Sequence, residues 1–345
     1  MPMLAKVRWP LAFAGLLSPL ALARYINVIN PASPYTKDIA PLLWVALVMS
    51  VVVFCGVAGT LFYVVHRFRA RADTTGEPPQ FRDNPKLETT LIIVPIILVG
   101  VLTFMTAATL AKVSAIPKGS LRVRVTAHQF FWDYRYLSSN VRNSNELVVP
   151  VNRPVEIELT SADVIHAFWV PSLGQQREAI PGSINKFTIT APKVGSYYGE
   201  CNILCGAGHA NMRFRVLAVP QSEYQTFIKE AKAYAAPQPK TAAEKRGYKL
   251  FMATCSACHR IQGTSANGRI GPDLSYFGSR TTMGAGVWPN KLKYLEPWIH
   301  DSPAVKPGSH MPPFTQLSAQ QVRDLALYLE SLKLPGLNFR SLPQI

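Results

Sequence analysis

The sequence predicts a multidomain chain built in three parts: a two-helix transmembrane hairpin, an all-β domain of Greek-key type, and an all-α domain. Three observations predict this. Two long runs, 39–65 and 91–111, are almost devoid of charge. Between residues 121 and 219, short stretches of alternating apolar and polar residues are separated by Pro and Gly turns. Towards the C-terminus the period changes to that of a helix, ending in the stretch 317–332. A chain of 345 residues, 48% of them hydrophobic, has room for two soluble domains besides the membrane segments.

Residues 1–23 read as a signal peptide: Lys6 and Arg8 precede an apolar stretch at 11–22 that ends in Ala21-Leu22-Ala23. An uncleaved membrane anchor is the other reading. Residues 24–112 form the hairpin. Each apolar run is long enough to cross about 30 Å of hydrocarbon at about 1.5 Å per residue. Arg67, Arg69, Arg71, Arg82 and Lys86 lie between the runs. The positive-inside rule makes that loop cytoplasmic and puts both flanking ends outside, across a bacterial cytoplasmic membrane. Glu88 stands just before the second span. There it is either a charge favoured at a helix start or an acid with a role in proton movement.

Residues 113–220 form the β domain, with strands expected at 121–125, 155–159, 186–190 and 214–219, and a strand-like stretch at 163–171. Within it, Cys201-Asn-Ile-Leu-Cys205-Gly-Ala-Gly-His209-Ala-Asn-Met212 places two thiols, an imidazole and a thioether in one loop, and His166 offers a second imidazole. Soft ligands of this mix select copper. There is one thiolate more than a blue-copper site uses, and two thiolates can bridge two copper ions. A mononuclear zinc or copper site is the alternative, although closed zinc sites lack a thioether.

Residues 221–243 hold a short helix at 224–234 and then Ala235-Ala-Pro-Gln-Pro-Lys240, a semi-rigid linker that would keep the last domain at high effective concentration near the β domain. Residues 244–345 are the all-α domain. Its signature is Cys255-Ser-Ala-Cys258-His259, in which two thiols can add to the vinyl groups of a haem and the histidine can ligate its iron. The distal ligand is expected from Met311 in His310-Met311-Pro312-Pro313-Phe314, with Met252, Met283, His300 and His310 as rivals. This run, its spacing from the histidine, the terminal helix and the turn Gly271-Pro272-Asp273-Leu274 resemble class I cytochromes c. In that family the proline carbonyl orients the proximal imidazole.

Of the five cysteines, the two metal motifs claim four, and Cys55 lies in the first apolar run, so no disulfide is required. The net charge of +16 falls mostly beyond the hairpin. Without aromatic-basic interleaving or a phosphate loop it points away from nucleic acid and towards an acidic protein partner or anionic lipid. Neither span carries a histidine cluster able to bind haems and copper, so a dioxygen site would belong to another polypeptide.

Four further segments, His128-Gln-Phe-Phe-Trp-Asp-Tyr-Arg-Tyr136, Asp163-Val-Ile-His-Ala-Phe-Trp-Val-Pro171, Ala179-Ile-Pro-Gly-Ser-Ile-Asn185 and Gly195-Ser-Tyr-Tyr-Gly-Glu-Cys201, complete a resemblance to subunit II of the haem-copper oxidases. With its fused cytochrome c, the chain resembles the caa-type members over nearly its whole length. The resemblance implies a cupredoxin-like β domain carrying the binuclear copper centre called CuA. Cys201 and Cys205 would bridge the coppers, His166 and Met212 would complete one ion, and His209 with the carbonyl of Ile203 the other. It also implies a partner subunit I, with subunit III, and electron transfer from an external donor through haem c and CuA to the subunit that reduces dioxygen to water. That donor would be an acidic or membrane-bound cytochrome or a quinol-oxidising complex.

The chain departs from the family pattern at several positions. The family has a glutamate at position 203 whose carboxylate binds magnesium at the subunit I interface, whereas Ile203 has none, so that site is lost or built differently. Phe130 replaces the tryptophan at which external cytochrome c delivers electrons, with Trp132 close behind. Gln176 and Glu178 replace the usual Lys and Asp before the Pro-Gly turn. Glu88 matches an acidic position at the mouth of a proton pathway into subunit I. Two other readings remain: a CuA-type nitric oxide reductase subunit, and a membrane-tethered electron carrier acting alone.

Overall fold

A computed structural model describes residues 33–69 and 82–345. The signal-peptide stretch and Arg71 lie outside the described residues. The chain divides into two compact units, one spanning Pro34–Ala115 and the other containing Ile116–Ile345.

The first unit is a pair of long helices, α1 (Pro34–Arg67) and α2 (Pro85–Val113). Both exceed the roughly 20 residues a span needs. Neither buries a residue, and apolar side chains such as Phe54 and Phe104 stand 72% and 76% exposed, the surface of helices solvated by lipid. Helix α2 begins ahead of its apolar stretch, where polar residues cap it. At the start of α2, Asn84 accepts from Leu87 N (3.2 Å), Pro85 needs no donor partner, and Glu88 Oε1 accepts from Asn84 N (3.1 Å). An exposed Lys112–Asp38 ion pair (2.6 Å) joins the end of α2 to the start of α1.

The second unit begins with a β-sandwich. One sheet has the order β3-β2-β1-β5-β8 and the other β4-β10-β9-β6-β7. Their strands are β1 (Leu121–His128), β2 (Phe131–Tyr136), β3 (Arg142–Ser144), β4 (Glu146–Pro150), β5 (Val155–Ser161), β6 (His166–Val170), β7 (Gly174–Ala179), β8 (Asn185–Ile189), β9 (Gly195–Cys201) and β10 (Arg213–Val219). Strand β1 shows why the pattern folds this way. Leu121, Val123, Val125 and Ala127 are buried, while Arg122 and Arg124 on the other face bond Glu158 of β5 (2.5 and 2.8 Å). Trp132, Phe168 and Phe214 fill the interior, with ring centroids 4.4–5.6 Å apart. This is the cupredoxin-like domain that the resemblance implied.

Helix α3 (Gln221–Ala233) leads from the sandwich to the helical domain, whose main elements are α4 (Ala242–Thr254), α5 (Leu292–His300), the short α6 (Ser302–Val305) and α7 (Ala319–Ser331). Capping boxes start α4 (Thr241, Glu244) and α7 (Ser318, Gln321). Helices α4 and α7 cross, and Arg246 holds Asp324 at 2.7 and 3.0 Å. The fold class is therefore a membrane hairpin, an all-β domain and an all-α cytochrome c domain.

The connection 235–240 is not a free spacer. Gln262 Nε2 donates to the Tyr234 carbonyl (2.9 Å) and Ala236 N donates to the Gln262 carbonyl (3.1 Å). Tyr276, Leu334 and Phe339 of the later sequence join the hydrophobic core of the sandwich. The last residues pair with the start of β9, where Ser196 N donates to the Pro343 carbonyl (2.8 Å) and Ile345 N donates to the Ser196 carbonyl (3.1 Å).

Candidate metal centres

Strand ends bring the proposed copper ligands together. His166 opens β6, Cys201 closes β9, Met212 immediately precedes β10, and Cys205 and His209 lie on the loop between. The Cys201 and Cys205 sulfurs are 3.7 Å apart and neither forms a disulfide. Cys201 Sγ lies 3.9 Å from His166 Nδ1 and 3.3 Å from the Ile203 carbonyl. Cys205 Sγ lies 3.7 Å from His209 Nδ1 and 3.8 Å from Met212 Sδ. His166, Cys201, Cys205 and Met212 are buried. The result is a cluster of two thiols, two imidazoles and a thioether, all buried but the half-buried His209, the donor set for soft ions such as copper.

The surroundings orient these ligands. His166 Nε2 bonds Asp163 Oδ1 (2.8 Å), which leaves Nδ1 facing the sulfurs. Burial alone would lower the His166 pKa, but its bonds to Cys201 and Asp163 outweigh burial and raise it. The bond shared between the two sulfurs, with help from His166, pushes Cys201 down to about 3 and pushes Cys205 upward. One negative charge is thus already favoured between the sulfurs before any cation binds.

The turn between β1 and β2 lies over the copper loop. Gln129 N donates to Asp163 Oδ2 (2.7 Å) and Gln129 Nε2 to the Cys205 carbonyl (2.6 Å). Phe130 packs against Gly208, where a Cβ would come within 2.4 Å of the ring. Trp132 is fully buried, its ring 6.2 Å from that of His166.

In the helical domain, Cys255, Cys258, His259 and Met311 line one cavity of about 300 Å³. His259 Nδ1 donates to the Pro272 carbonyl (2.8 Å), leaving Nε2 as the nitrogen available to iron. Burial lowers the His259 pKa and favours the neutral, ligating imidazole. Gly271 packs so close that a Cβ there would sit 2.5 Å from the His259 ring. The walls are largely apolar, with Phe251, Leu295 and Leu325 among them, so the cavity fits a flat apolar group held by two thioethers. Of the rival ligands, Met283 and His310 line the cavity beside Met311, and Met252 and His300 do not. The Met311 loop is fixed by Ser302 Oγ donating to the Met311 carbonyl (2.7 Å) and by Phe314 N bonding the His300 carbonyl (2.8 Å).

The two centres share a wall. Gln129, Phe130, Phe131 and Asn145 of the sandwich close the cavity that Cys255, Cys258 and His259 open, and Phe130 lies 5.4 Å from His310, the neighbour of Met311. Gly308 abuts the backbone of Ala207 and Gly208 on the copper loop. Asp273 N donates to Ser144 Oγ (3.1 Å), whose hydroxyl donates to Asp133 Oδ1 (2.5 Å), and Tyr276 donates to the Arg142 carbonyl. Glu146 Oε1 accepts from the N–H and hydroxyl groups of Thr281 and Thr282 (2.6–2.9 Å). Asp133 and Asp273 belong to sequence motifs, whereas Arg142, Ser144, Glu146, Tyr276, Thr281 and Thr282 belong to none. Asp163 stood inside a quoted segment, but its bond to His166 emerges only in the folded loop. Glu88, in the other unit, caps a helix start and is exposed.

A buried soft-ligand cluster beside a CxxCH cavity, on a chain with two lipid-type helices, defines a membrane-bound electron-transfer protein. The family model of the periplasmic domain of cytochrome c oxidase subunit II matches residues 139–219, and that of cytochrome c matches 244–333. Cytochrome c oxidase subunit 2 of Bacillus subtilis is 31% identical, covering 94% of this chain and 98% of the relative. The same subunit of Alkalihalophilus pseudofirmus is 29% identical, covering 94% and 96%. The solved periplasmic domain of subunit II of the cytochrome oxidase of Bradyrhizobium japonicum is 34% identical over 34% of this chain and 97% of that one, with a TM-score of 0.33. The chain belongs to the cytochrome c oxidase subunit II family, in the form that carries a fused cytochrome c. It is an electron-transfer subunit of a haem-copper terminal oxidase, and its two domains imply CuA and haem c.

Proposed function

We propose that this chain carries electrons from an external donor through haem c and binuclear CuA to the haem-copper subunit that reduces dioxygen to water. Cys255 and Cys258 would hold the haem covalently, and His259 and Met311 would serve as its iron ligands. Cys201 and Cys205 would be shared by the two coppers, with His166 and Met212 offered to one ion and His209 and the Ile203 carbonyl to the other. The observation that carries the reading is the shared wall. Phe130 touches the copper loop on one side and the haem cavity on the other, so delivery is internal. Trp132, against His166, lies on the copper side of the same path.

The chain's own residues fix this geometry. Asp163 holds His166 in the ligating tautomer, Pro272 does the same for His259, and the Glu146 contacts hold the helical domain on the sandwich. Val164 and Ile165 beside His166, and Leu204 beside Cys205, are exposed apolar side chains of the kind that subunit I would cover. Both metal domains lie on the periplasmic or extracytoplasmic side, as the basic residues Arg67, Arg69, Arg82 and Lys86 support for the opposite end of the hairpin. The basic surface suits an acidic or membrane-bound donor. Glu88 is assigned to proton entry into subunit I, and subunit III to the assembly. No magnesium role is assigned to Ile203.

The test is to purify the tagged chain from membranes with its partners and follow reductant-driven uptake of dioxygen and of nitric oxide separately. Cyanide-sensitive dioxygen uptake with little nitric oxide turnover is expected. The reverse would make this a nitric oxide reductase subunit, and no partner or turnover would leave a tethered carrier.

A further inference from the structure

A chain of hydrogen bonds runs from a carboxylate of the copper domain to the histidine of the CxxCH motif. Asp133 of β2 and Ser144 of β3 stand opposite each other in the antiparallel ladder, and the Ser144 hydroxyl donates to Asp133 Oδ1 (2.5 Å). Ser144 Oγ in turn accepts from Asp273 N (3.1 Å). That N–H belongs to the peptide unit whose carbonyl, on Pro272, accepts from His259 Nδ1 (2.8 Å). One peptide thus joins the two domains, with its N–H facing the sandwich and its C=O facing the imidazole. Ser144 and Asp273 are buried, whereas the Asp133 side chain is 36% exposed, enough to exchange a proton with solvent. The charged and titratable groups facing Asp133 are His128 of β1, with Nε2 3.8 Å from Oδ2, Arg142 of β3, Asp273 and Arg280 of the helical domain, and Tyr134 next to it on β2. Burial, with help from Asp273, raises the Asp133 pKa above the usual carboxylate value, against Ser144, His128 and Arg142, which lower it. Burial lowers the pKa of His128.

Hydrogen bonds in a chain polarise one another, so a charge at one end alters the strength of the bond at the other. An ionised Asp133 draws the Ser144 proton towards itself and makes the Ser144 oxygen a better acceptor for the Asp273 N–H. The carbonyl of the same peptide then draws harder on the His259 Nδ1 proton. An imidazole polarised in this way is a more basic ligand and favours oxidised iron. Resting on the haem c reading above, we propose that Asp133 is a positioning residue for electron transfer, a carboxylate of the copper domain that sets the haem c potential through Ser144 and the Pro272–Asp273 peptide and takes up a proton from solvent as the haem is reduced. The linkage is reciprocal: a proton on Asp133 favours reduction, and an electron on the haem favours that proton by the same free energy. Oxidation returns both, the electron to the copper centre and the proton to solvent. Asp133 follows Trp132, whose ring stands 6.2 Å from that of His166, so one strand reaches towards both metal centres.

The experiment is an optical redox titration of haem c across pH in the full-length chain and in Asp133→Asn, Ser144→Ala and Glu223→Gln, with covalent haem quantified in each. Glu223 is an exposed carboxylate on the first turn of α3 and controls for the loss of a surface charge. In the parent chain the midpoint potential should fall as pH rises through the range above about pH 4 in which Asp133 loses its proton. Asp133→Asn should lack that slope and, at neutral pH, favour the reduced haem by up to about fivefold in the equilibrium constant, the excess of a charge-assisted hydrogen bond over a neutral one. Ser144→Ala keeps the carboxylate but breaks the chain, and should raise the midpoint as well, while Glu223→Gln should leave it unchanged. A slope and midpoint that persist in Asp133→Asn would overturn the proposal. A shift in Asp133→Asn without one in Ser144→Ala would overturn it too, because the charge would then act through space. Should Asp133→Asn fail to fold, an unchanged midpoint in Ser144→Ala overturns it alone. Lower thermal stability with midpoint and slope unmoved would mark a purely structural role, which also overturns it. Absence of covalent haem from the parent chain would overturn both the haem reading and this proposal, whereas normal haem that shows neither the slope nor the shifts would overturn this proposal only.

Discussion

Cys201 and Cys205 stand with sulfurs 3.7 Å apart and an imidazole beside each. Replacing either with Ser would exchange a soft donor for a hard one. Cys201→Ser and Cys205→Ser should lose the binuclear copper spectrum and bind less copper by elemental analysis, while covalent haem stays normal. Gly208→Ala tests the contact at the shared wall. Its Cβ would meet the Phe130 ring at 2.4 Å, so the ring must move, at a cost of about 1–3 kcal/mol for overpacking. The variant should bind both metals yet transfer electrons between them more slowly, as measured by transient absorption. The ligand residues were legible because each motif packs chemically distinctive side chains into a short stretch. The orienting residues Gln129 and Asp163 are common polar types, and their meaning depends on a loop conformation that spacing does not reveal.

One pair of helices builds the helical core, and one strand end docks that core on the sandwich. The α4–α7 crossing is held by Arg246 and Asp324, and the hydrogen bonds from Arg246 keep the Asp324 carboxyl below the usual carboxylate range. Because the folded pKa is depressed, the stability it contributes is present above the unfolded pKa of about 3.9 and is lost as pH falls through the lower folded value. Asp324→Asn should flatten that acid loss in melts recorded between neutral pH and about pH 3. Glu146, at the start of β4, accepts from both Thr281 and Thr282. Glu146→Ala leaves those donors unmet and should reduce stability by roughly 2–4 kcal/mol in denaturant titrations, with Glu146→Gln less severe. The strand stretches at 121–125, 155–159, 186–190 and 214–219 and the helices at 224–234 and 317–332 were readable from their period, whereas β2, β3, β7, β9, α4 and α5 were not singled out. β4 and the short β11 (Thr282–Met283) were not, since the first is uniformly buried and the second too short to show a period.

Across the unit formed by the sandwich and the helical domain, the stretch expected to be a semi-rigid linker is held by direct contacts. The Pro-rich stretch 235–240 has the composition of a spacer, but Gln262 pins it, and the tail from Leu334 onward packs back on the sandwich. Composition reports the flexibility of a segment in isolation, and these contacts come from residues far away in sequence, which is why the docking was not legible. The central claim is that haem c and CuA would exchange electrons within one compact unit through the Phe130 wall. Its most direct test is to inject an electron into haem c of the purified full-length chain with a light pulse and follow the copper absorption. A first-order transfer, independent of protein concentration and ionic strength and slower in Phe130→Ala, is the expected result. A rate that scales with protein concentration, or one unaltered in Phe130→Ala with both metals bound, would contradict it.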